Sequence, residues 1–373
     1  MDPVAHTLFG AALAETGLKR TTRYATVTLL IAANLPDIDV IAHFAGTDTS
    51  LYFRRGWSHG ILALILLPLV LSALVGLWHR WGERQTAGTL PFRPGMIVAL
   101  SYLGVLSHLF LDWLNTYGIR LLMPFDGRWF YGDTLFIIDP WVWLLMGVGV
   151  VLAWSKGAGA QLGWALLAAL ASVLILTSEL PPTAVKALWL TGVAVIVVIR
   201  WQRPSPAFIQ TLTRAGLATL VLYIGAVYGM ARIAESAIAE RFPQATQVQA
   251  NPMPGQPQAH RTIVAEDEHY HIIQADGSTE IVPRPEPSAI VRKALEDESI
   301  RGFATWTRHP YWEVEETGDG WLVRFYDLRY VEPGQRRSEG PDIGFASVEI
   351  SKDPIREDSK PARGEKRQQQ SDE

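Results

Sequence analysis

Runs of roughly 20 apolar residues, the length a bilayer crossing requires, recur along the first two thirds of the chain. They cover 60–78, 95–114, 135–154, 159–177, 183–200 and 213–232. Residues 24–44 are long enough too, but Asn34-Leu35-Pro36-Asp37-Ile38-Asp39 interrupts them. Pro36 removes a backbone donor and carboxylates are costly in lipid, so the break must line a cavity inside protein. Residues 3–18 are apolar but short, and suit a short span or an interfacial helix. The pattern predicts an all-α polytopic membrane domain of about eight transmembrane helices, or seven if 3–18 lies in the interface.

From about residue 240 the period changes. Asn251-Pro-Met-Pro-Gly-Gln-Pro257 reads as a proline-rich linker. Residues 260–282 alternate around Asp276-Gly277, a hairpin turn. Residues 288–302 suit a short helix, 311–331 a second hairpin turning at Gly318-Asp319-Gly320, and 343–350 a strand. A small soluble α+β domain of one sheet and one helix is the expected product. The division is then 1–155 (membrane helices carrying a candidate site), 156–235 (further transmembrane helices), 236–356 (soluble domain) and 357–373. That charged, glutamine-rich end predicts disorder.

Composition sharpens the division. Hydrophobic residues make up 49% of 373 and charged residues 19%, low for a soluble protein. Residues 1–232 hold sixteen Lys/Arg against eleven Asp/Glu, a net +5; residues 233–373 hold seventeen against twenty-six, a net −9. The opening lacks a basic segment ahead of its apolar run and is interrupted by Asp2, His6 and Glu15, so a cleaved signal peptide is not expected. With no cysteine, any metal must be held by His, Asp, Glu or Asn. No nucleotide-binding glycine loop and no Gly-x-Ser-x-Gly elbow occurs, and no nucleic-acid partner is expected.

Short loops holding Lys19, Arg20, Arg23, Arg80, Arg84, Arg93, Lys156, Arg200, Arg203 and Arg214 alternate with loops poorer in cations. The positive-inside rule makes the first set cytoplasmic. Residues 45–58, 116–134 and the C-terminal domain then face the opposite, outer side. Under that assignment His6, Asp37, Asp39, His59, His108 and Asp112 all fall toward the outer ends of their helices. Arg54, Arg55, Arg120 and Arg128 lie on the outer side against the rule.

The chemistry concentrates at those six positions. His108 and Asp112 are four apart, on one helical face, and an ionisable pair in lipid marks a functional site by default. Imidazoles and carboxylates are ligands of zinc and other transition metals. A metal hydrolase needs about three protein ligands, an open position and a group that steers water. His59, His108 and Asp112 can supply the ligands, with His6 completing a shell. Asp37 or Asp39 can act catalytically, as a further ligand, or as a bridge to a second ion. On a regular helix those two would face nearly opposite ways; only an irregular backbone after Pro36 lets both converge.

Blander readings stand beside each. A membrane histidine is often hydrogen-bonded glue between helices, with Ser107 or Asn115 in the same role. Asp37 could cap the second half of a broken helix, and Asp133 and Asp139 suit loop and helix-start roles. For His108 with Asp112 the bland reading is weaker, because a bare carboxylate in lipid needs a cationic partner. Arg54 and Arg55 either snorkel to headgroups or bind an anionic substrate. His269-Tyr270-His271 puts two imidazoles on one strand face, a metal pair or a solvated hairpin face.

His6-Thr-Leu-Phe-Gly10, Asn34-Leu-Pro-Asp-Ile-Asp39, Arg55-Gly-Trp-Ser-His59 and His108-Leu-Phe-Leu-Asp112, with Tyr117-Gly118 and Leu122-Met-Pro-Phe125, resemble the YdjM-like family. These bacterial inner-membrane proteins are regarded as metal-dependent hydrolases. The resemblance covers about residues 1–150. It implies an inner-membrane location and a metal site at His59, His108, Asp112, the Asp37/Asp39 pair and His6. The order of His6, Asp37 or Asp39, His59, His108 and Asp112 is also similar to the ligand order of zinc-dependent phospholipase C and P1-type nucleases. Those families' later ligands have no counterpart here, which favours one or two ions over three.

The expected function is therefore a membrane-bound hydrolase using a divalent metal, most simply zinc. A site at headgroup depth favours an amphiphilic or lipid-like substrate, a lipid ester or phosphodiester. The alternative is a non-enzymatic transporter or scaffold with a structural polar or metal cluster. The C-terminal domain reads equally as a lid, a partner-binding module or a stabilising cap.

Overall fold

Asp2 starts the first helix. Its carboxylate accepts from the Ala5 amide at 2.9 Å, and Pro3 sits in the first turn where no donor is needed, so α1 runs Pro3–Glu15. The computed structural model describes residues 1–82, 89–331 and 344–352. Next come α2 (Ala25–Ala32), a 3-10 helix over Leu35–Ala45, and α3 (Thr47–Phe53). They are followed by α4 (Ile61–Gly82), α5 (Pro94–Trp113), α6 (Pro140–Trp154), α7 (Ala158–Thr177), α8 (Thr183–Trp201) and α9 (Pro206–Arg241).

Among the described residues six helical segments are long and apolar enough to cross a membrane: 25–45, 61–81, 94–113, 158–177, 183–201 and 206–241. α1 and α6, with 13 and 15 residues, are shorter. The expected span at 135–154 begins later because Asp139 caps α6, accepting from Trp141 N at 2.9 Å and Val142 N at 3.2 Å. Its other oxygen accepts from the Tyr223 hydroxyl at 2.9 Å and Gly255 N at 3.2 Å. Asp139 thus joins α6, α9 and a distant turn as the helix-start residue expected.

Small residues bring the first helices together. A Cβ on Gly10 would stand 2.8 Å from the Leu29 carbonyl oxygen, and one on Gly104 would overlap Ala32 and lie 3.1 Å from Ala33 N. The α1–α2 and α2–α5 backbones can approach only because neither position carries a side chain. Other contacts gather the basic loops at one end of these helices. Thr22 Oγ1 accepts from Arg93 N at 2.8 Å, the Thr16 carbonyl accepts from Gln210 and Arg214, and the Ser155 carbonyl accepts from Arg200. Arg84 lies outside the described residues.

By its internal contacts the chain divides into two units, Met1–Pro285 and Glu286–Glu373. The first contains, besides the nine helices, an antiparallel sheet in the order β1-β2-β3-β4. Its strands are β1 (Gln247–Met253), β2 (Gln256–Ala265), β3 (His269–Ile273) and β4 (Thr279–Pro283). Part of the region expected to begin a separate domain at residue 236 therefore packs with the helices. α9 is 36 residues long, about 54 Å, and outruns a hydrocarbon core of about 30 Å. Near its end the Glu235 carboxylate accepts from Ala250 N of β1 at 3.0 Å.

The stretch expected as a linker, 251–257, is instead the tip of the β1–β2 hairpin. Pro252 is tolerated because β1 is an edge strand with an irregular register at Pro252/Met253. Gly255, at φ +67°, makes the turn, and its carbonyl accepts from Trp141 Nε1 at 2.9 Å. Asp276-Gly277 joins β3 to β4 as expected, with Gly277 at φ +87°. His269 is exposed, while His271 lies 3.1 Å from Glu266 and stacks obliquely on Phe242.

The second unit holds α10 (Ala289–Leu295), α11 (Arg301–Trp306) and a sheet in the order β5-β6-β7: β5 (Pro310–Glu316), β6 (Gly320–Asp327) and β7 (Phe345–Ser351). The C-terminal region thus carries two small sheets where one was expected. Residues 357–373 lie outside the described residues. Phe303, Trp306, Val323 and Phe325 are buried in this unit. So is Asp327, which accepts from Arg329 Nη2 at 2.7 Å and Arg308 N at 3.0 Å, while the guanidinium lies 4.5 Å over the Trp306 ring.

Burial alone would push the Asp327 carboxyl up, but the adjacent Arg329 charge and its hydrogen bonds hold it well below the usual carboxylate range. A carboxyl with a depressed folded-state pKa stabilises the fold above its unfolded value of ~3.9 and loses that effect as pH falls through the folded value. Asp327→Asn should therefore weaken this unit by about 3–5 kcal/mol at neutral pH, with the gap to wild type narrowing below about pH 4. Hydrogen exchange of the β6 amides in both proteins at matched pH checks this. Equal protection at pH 7 would refute it.

Candidate metal centre

The break after α2 builds the centre. Pro36 has no N–H, and the Asp37 amide turns back to the Asn34 carbonyl at 3.2 Å, in 3-10 fashion. The Ala33 carbonyl, which a continuing α-helix would have paired with that amide, instead accepts from His108 Nδ1 at 2.8 Å. Nδ1 must then carry the proton, and Nε2 presents its lone pair.

His59 is set the same way from the opposite side. Its Nδ1 lies 3.3 Å from Asp39 Oδ2 and 2.9 Å from Ser58 Oγ, and Ser58 donates to that Asp39 oxygen at 2.7 Å. The carboxylate requires a proton on Nδ1, so His59 also offers Nε2 as a lone pair. The two Nε2 atoms are 3.1 Å apart. Asp112 Oδ2 stands 3.1 Å from the first and 3.4 Å from the second, and Asp37 Oδ1 3.9 and 3.8 Å from them.

Asp37, His59, His108 and Asp112 thus bring one ligand atom each within 4.8 Å of one another, and this set could hold a metal ion. The donors fit that role: four acceptors face one another with no hydrogen between them. Asp37 Oδ1 is shut off from solvent, and no donor reaches it among the described residues. His59, His108 and Asp112 are fully buried; Asp37 is half-buried.

The other expected residues surround this set. Asp39 lies behind His59, on the Nδ1 side, and also accepts from Arg55 N at 2.8 Å. The irregular backbone lets both carboxylates converge on one imidazole, from opposite edges. His6 stacks on His108 with ring centroids 3.8 Å apart, and its Nε2 is 3.2 Å from Asp112 Oδ1. That oxygen also accepts from Arg55 Nη2 at 2.9 Å and from the Met1 amine. Asp112 therefore divides its work, one oxygen on cations and the other toward the imidazoles.

Arg55 is the cationic partner that a membrane carboxylate needs. It is only 2% exposed, donates to Asn115 Oδ1 at 3.1 Å and the Gly118 carbonyl at 3.3 Å, and packs 4.6 Å from the Tyr117 ring centroid. Arg54 points elsewhere, its Nη1 3.4 Å from His43 Nε2. Sequence reasoning missed Ser58 and the Ala33 carbonyl as supports. Ser58 was findable as a hydroxyl next to a candidate ligand; a backbone carbonyl has no signature.

A multi-pass helical membrane protein with a buried His/Asp cluster is the class that fold and site define. The chain belongs to the YdjM inner membrane protein family, whose pattern matches residues 1–233. The pattern of the YfhP C-terminal alpha/beta plait domain matches residues 289–336. The chain is 20% identical over 308 residues to the uncharacterized protein YfhP of Bacillus subtilis (strain 168), covering 83% of this chain and 78% of that one. No solved structure matches.

Metal content of the purified protein tests the cluster. His108→Ala with Asp112→Ala should abolish the bound ion. Asp39→Asn, which leaves all four donors in place, should weaken binding about 10–100-fold. Competition with a chelating dye measures both. Equal metal in wild type and the double variant would show that the cluster holds none.

Proposed function

We propose that this protein is a membrane-bound hydrolase using one divalent metal, most simply zinc, and acting on a lipid ester or phosphodiester. The observation that carries the reading is the meeting of two Nε2 lone pairs and two carboxylates in a buried space without a shared proton. Ligands about 2.0–2.1 Å from zinc in a tetrahedron stand roughly 3.3–3.4 Å apart. The 3.1–3.9 Å separations here bracket that spacing.

His59, His108 and Asp112 would hold the ion, which when bound lowers the pKa of water toward ~7 and polarises an ester or phosphoryl oxygen. Asp37, the half-buried member of the set, would accept the proton of the attacking water, leaving the three protein ligands and open position that a hydrolase needs. Asp39 with Ser58, and the Ala33 carbonyl, fix the two imidazoles in the required tautomer. Arg55 and His6 hold Asp112 in place. Arg55 is committed to Asp112, so of the two adjacent arginines an anionic substrate would meet Arg54, beside His43 and outside the metal set.

The substrate class rests on what borders Asp37. A shallow groove of about 460 Å³ is lined there by Leu30, Ile31, Asn34, Leu35, Asp37 and Ile38. The 3-10 segment also exposes Val40, Ile41 and Phe44. An apolar approach to a polar centre suits a molecule with a hydrocarbon body and an ester or phosphate head.

A screen of detergent-solubilised protein against lipid phosphoesters and carboxylic esters, with and without zinc, should reveal turnover. It should disappear with a strong chelator and fall at least about 100-fold in Asp112→Asn. Turnover that survives both would sink the mechanism. Metal retained without turnover on any of these lipids would favour the alternative, a transporter or scaffold built around a structural ion.

Orientation belongs to the same reading. Placing the basic end of the helices in the cytoplasm puts the metal centre on the outer side, together with the end of α9. A reporter fused after residue 240 should then behave as periplasmic. Cytoplasmic behaviour would reverse the orientation and leave the metal site standing.

A further inference from the structure

A cavity in the helical unit lies away from the metal centre. It occupies about 830 Å³ between α6, α7, α8 and the start of α9. Its walls are apolar, with Trp143, Gly147, Ala168, Trp189 and Val193 among them. α1 separates it from the metal centre. Val4 and Leu8 line the cavity, while His6, between them in sequence and on the opposite face, enters the His/Asp cluster.

One end of this cavity is cationic. Lys156, Arg200 and Arg203 line it there, and among the described residues none of the three is paired with a carboxylate. Arg200 is held in place by Ser155, which accepts at Oγ from Nε at 2.9 Å and at its carbonyl from Nη2 at 2.8 Å. Trp189 to Arg200 along α8 spans about 16 Å at 1.5 Å per residue. That is about one leaflet, half of a hydrocarbon core of about 30 Å.

We propose that this cavity binds an acyl chain of an anionic phospholipid, with the phosphate held by Lys156, Arg200 and Arg203. The charge of the mouth selects an anion, since Arg and Lys are the usual phosphate partners. The apolar depth selects a hydrocarbon chain. The proposal does not depend on the hydrolase reading.

The test is native mass spectrometry of the delipidated full-length protein with phosphatidylglycerol, phosphatidylethanolamine or diacylglycerol. Wild type should retain one phosphatidylglycerol at least about tenfold more tightly than diacylglycerol. Lys156→Gln with Arg203→Gln, both at exposed positions, should bring the two lipids together. Gly147→Phe should empty the site, because an added Cβ there has only Leu8 Cδ1 within 4 Å, at 3.9 Å, and the ring would fill the cavity. Should that variant fail to fold by circular dichroism, Ala168→Phe on the facing wall serves instead. Equal retention of all three lipids by wild type, or of phosphatidylglycerol by wild type and the filled variant, would overturn the proposal. So would a lipid-free dimer that Gly147→Phe prevents.

Discussion

A carboxylate removed from water must be matched by positive charge, and in this fold Asp112 imposes that demand on every neighbouring element. Breaking such a buried pair costs about 3–5 kcal/mol. The turn after α3 answers with Arg55, whose guanidinium also reaches Asn115 and Gly118 beyond α5, and α1 adds the His6 imidazole as a hydrogen-bond partner of the same oxygen. These contacts keep one Asp112 oxygen occupied and aim the other at His59 and His108. The cluster is thus held by charge balance on one side and by helix packing through Gly10 and Gly104 on the other.

The second constraint is the interruption at Pro36. A helix continued through residues 33–39 would have used the Ala33 carbonyl internally and sent Asp37 and Asp39 to different faces. The 3-10 path frees that carbonyl for His108 and lets the two carboxylates reach opposite edges of His59. Local irregularity here is the means by which two imidazoles acquire the same tautomer. It is tolerated because the segment is supported by protein on the side of the cluster.

Much of this was legible in the residues. The apolar runs marked every long helix, and the i,i+4 spacing of His108 and Asp112 marked one helical face. The break at Pro36 stated the condition under which Asp37 and Asp39 could converge. The need for a cation near Asp112 was equally clear, but not that Arg55, read with Arg54 as a headgroup or substrate residue, would supply it. That role depends on the left-handed backbone at Arg55, φ +54°, and on Asp39 gripping its amide, neither of which has a one-dimensional trace. The 251–257 stretch misled because its proline content outweighed its Pro254-Gly255 turn signal. What makes it a hairpin tip is tertiary docking on Asp139 and Trp141.

That docking has a consequence for the order of biosynthesis. The cap of α6 is completed by Gly255, 116 positions later in the chain. At 5–20 residues per second, roughly 10 s of synthesis separates the two. Through that interval α6, a short apolar helix, is in place while one oxygen of its buried cap still lacks the Gly255 amide. The sheet that follows α9 then works as a latch: the last part of the first unit to be made secures a helix made near its middle.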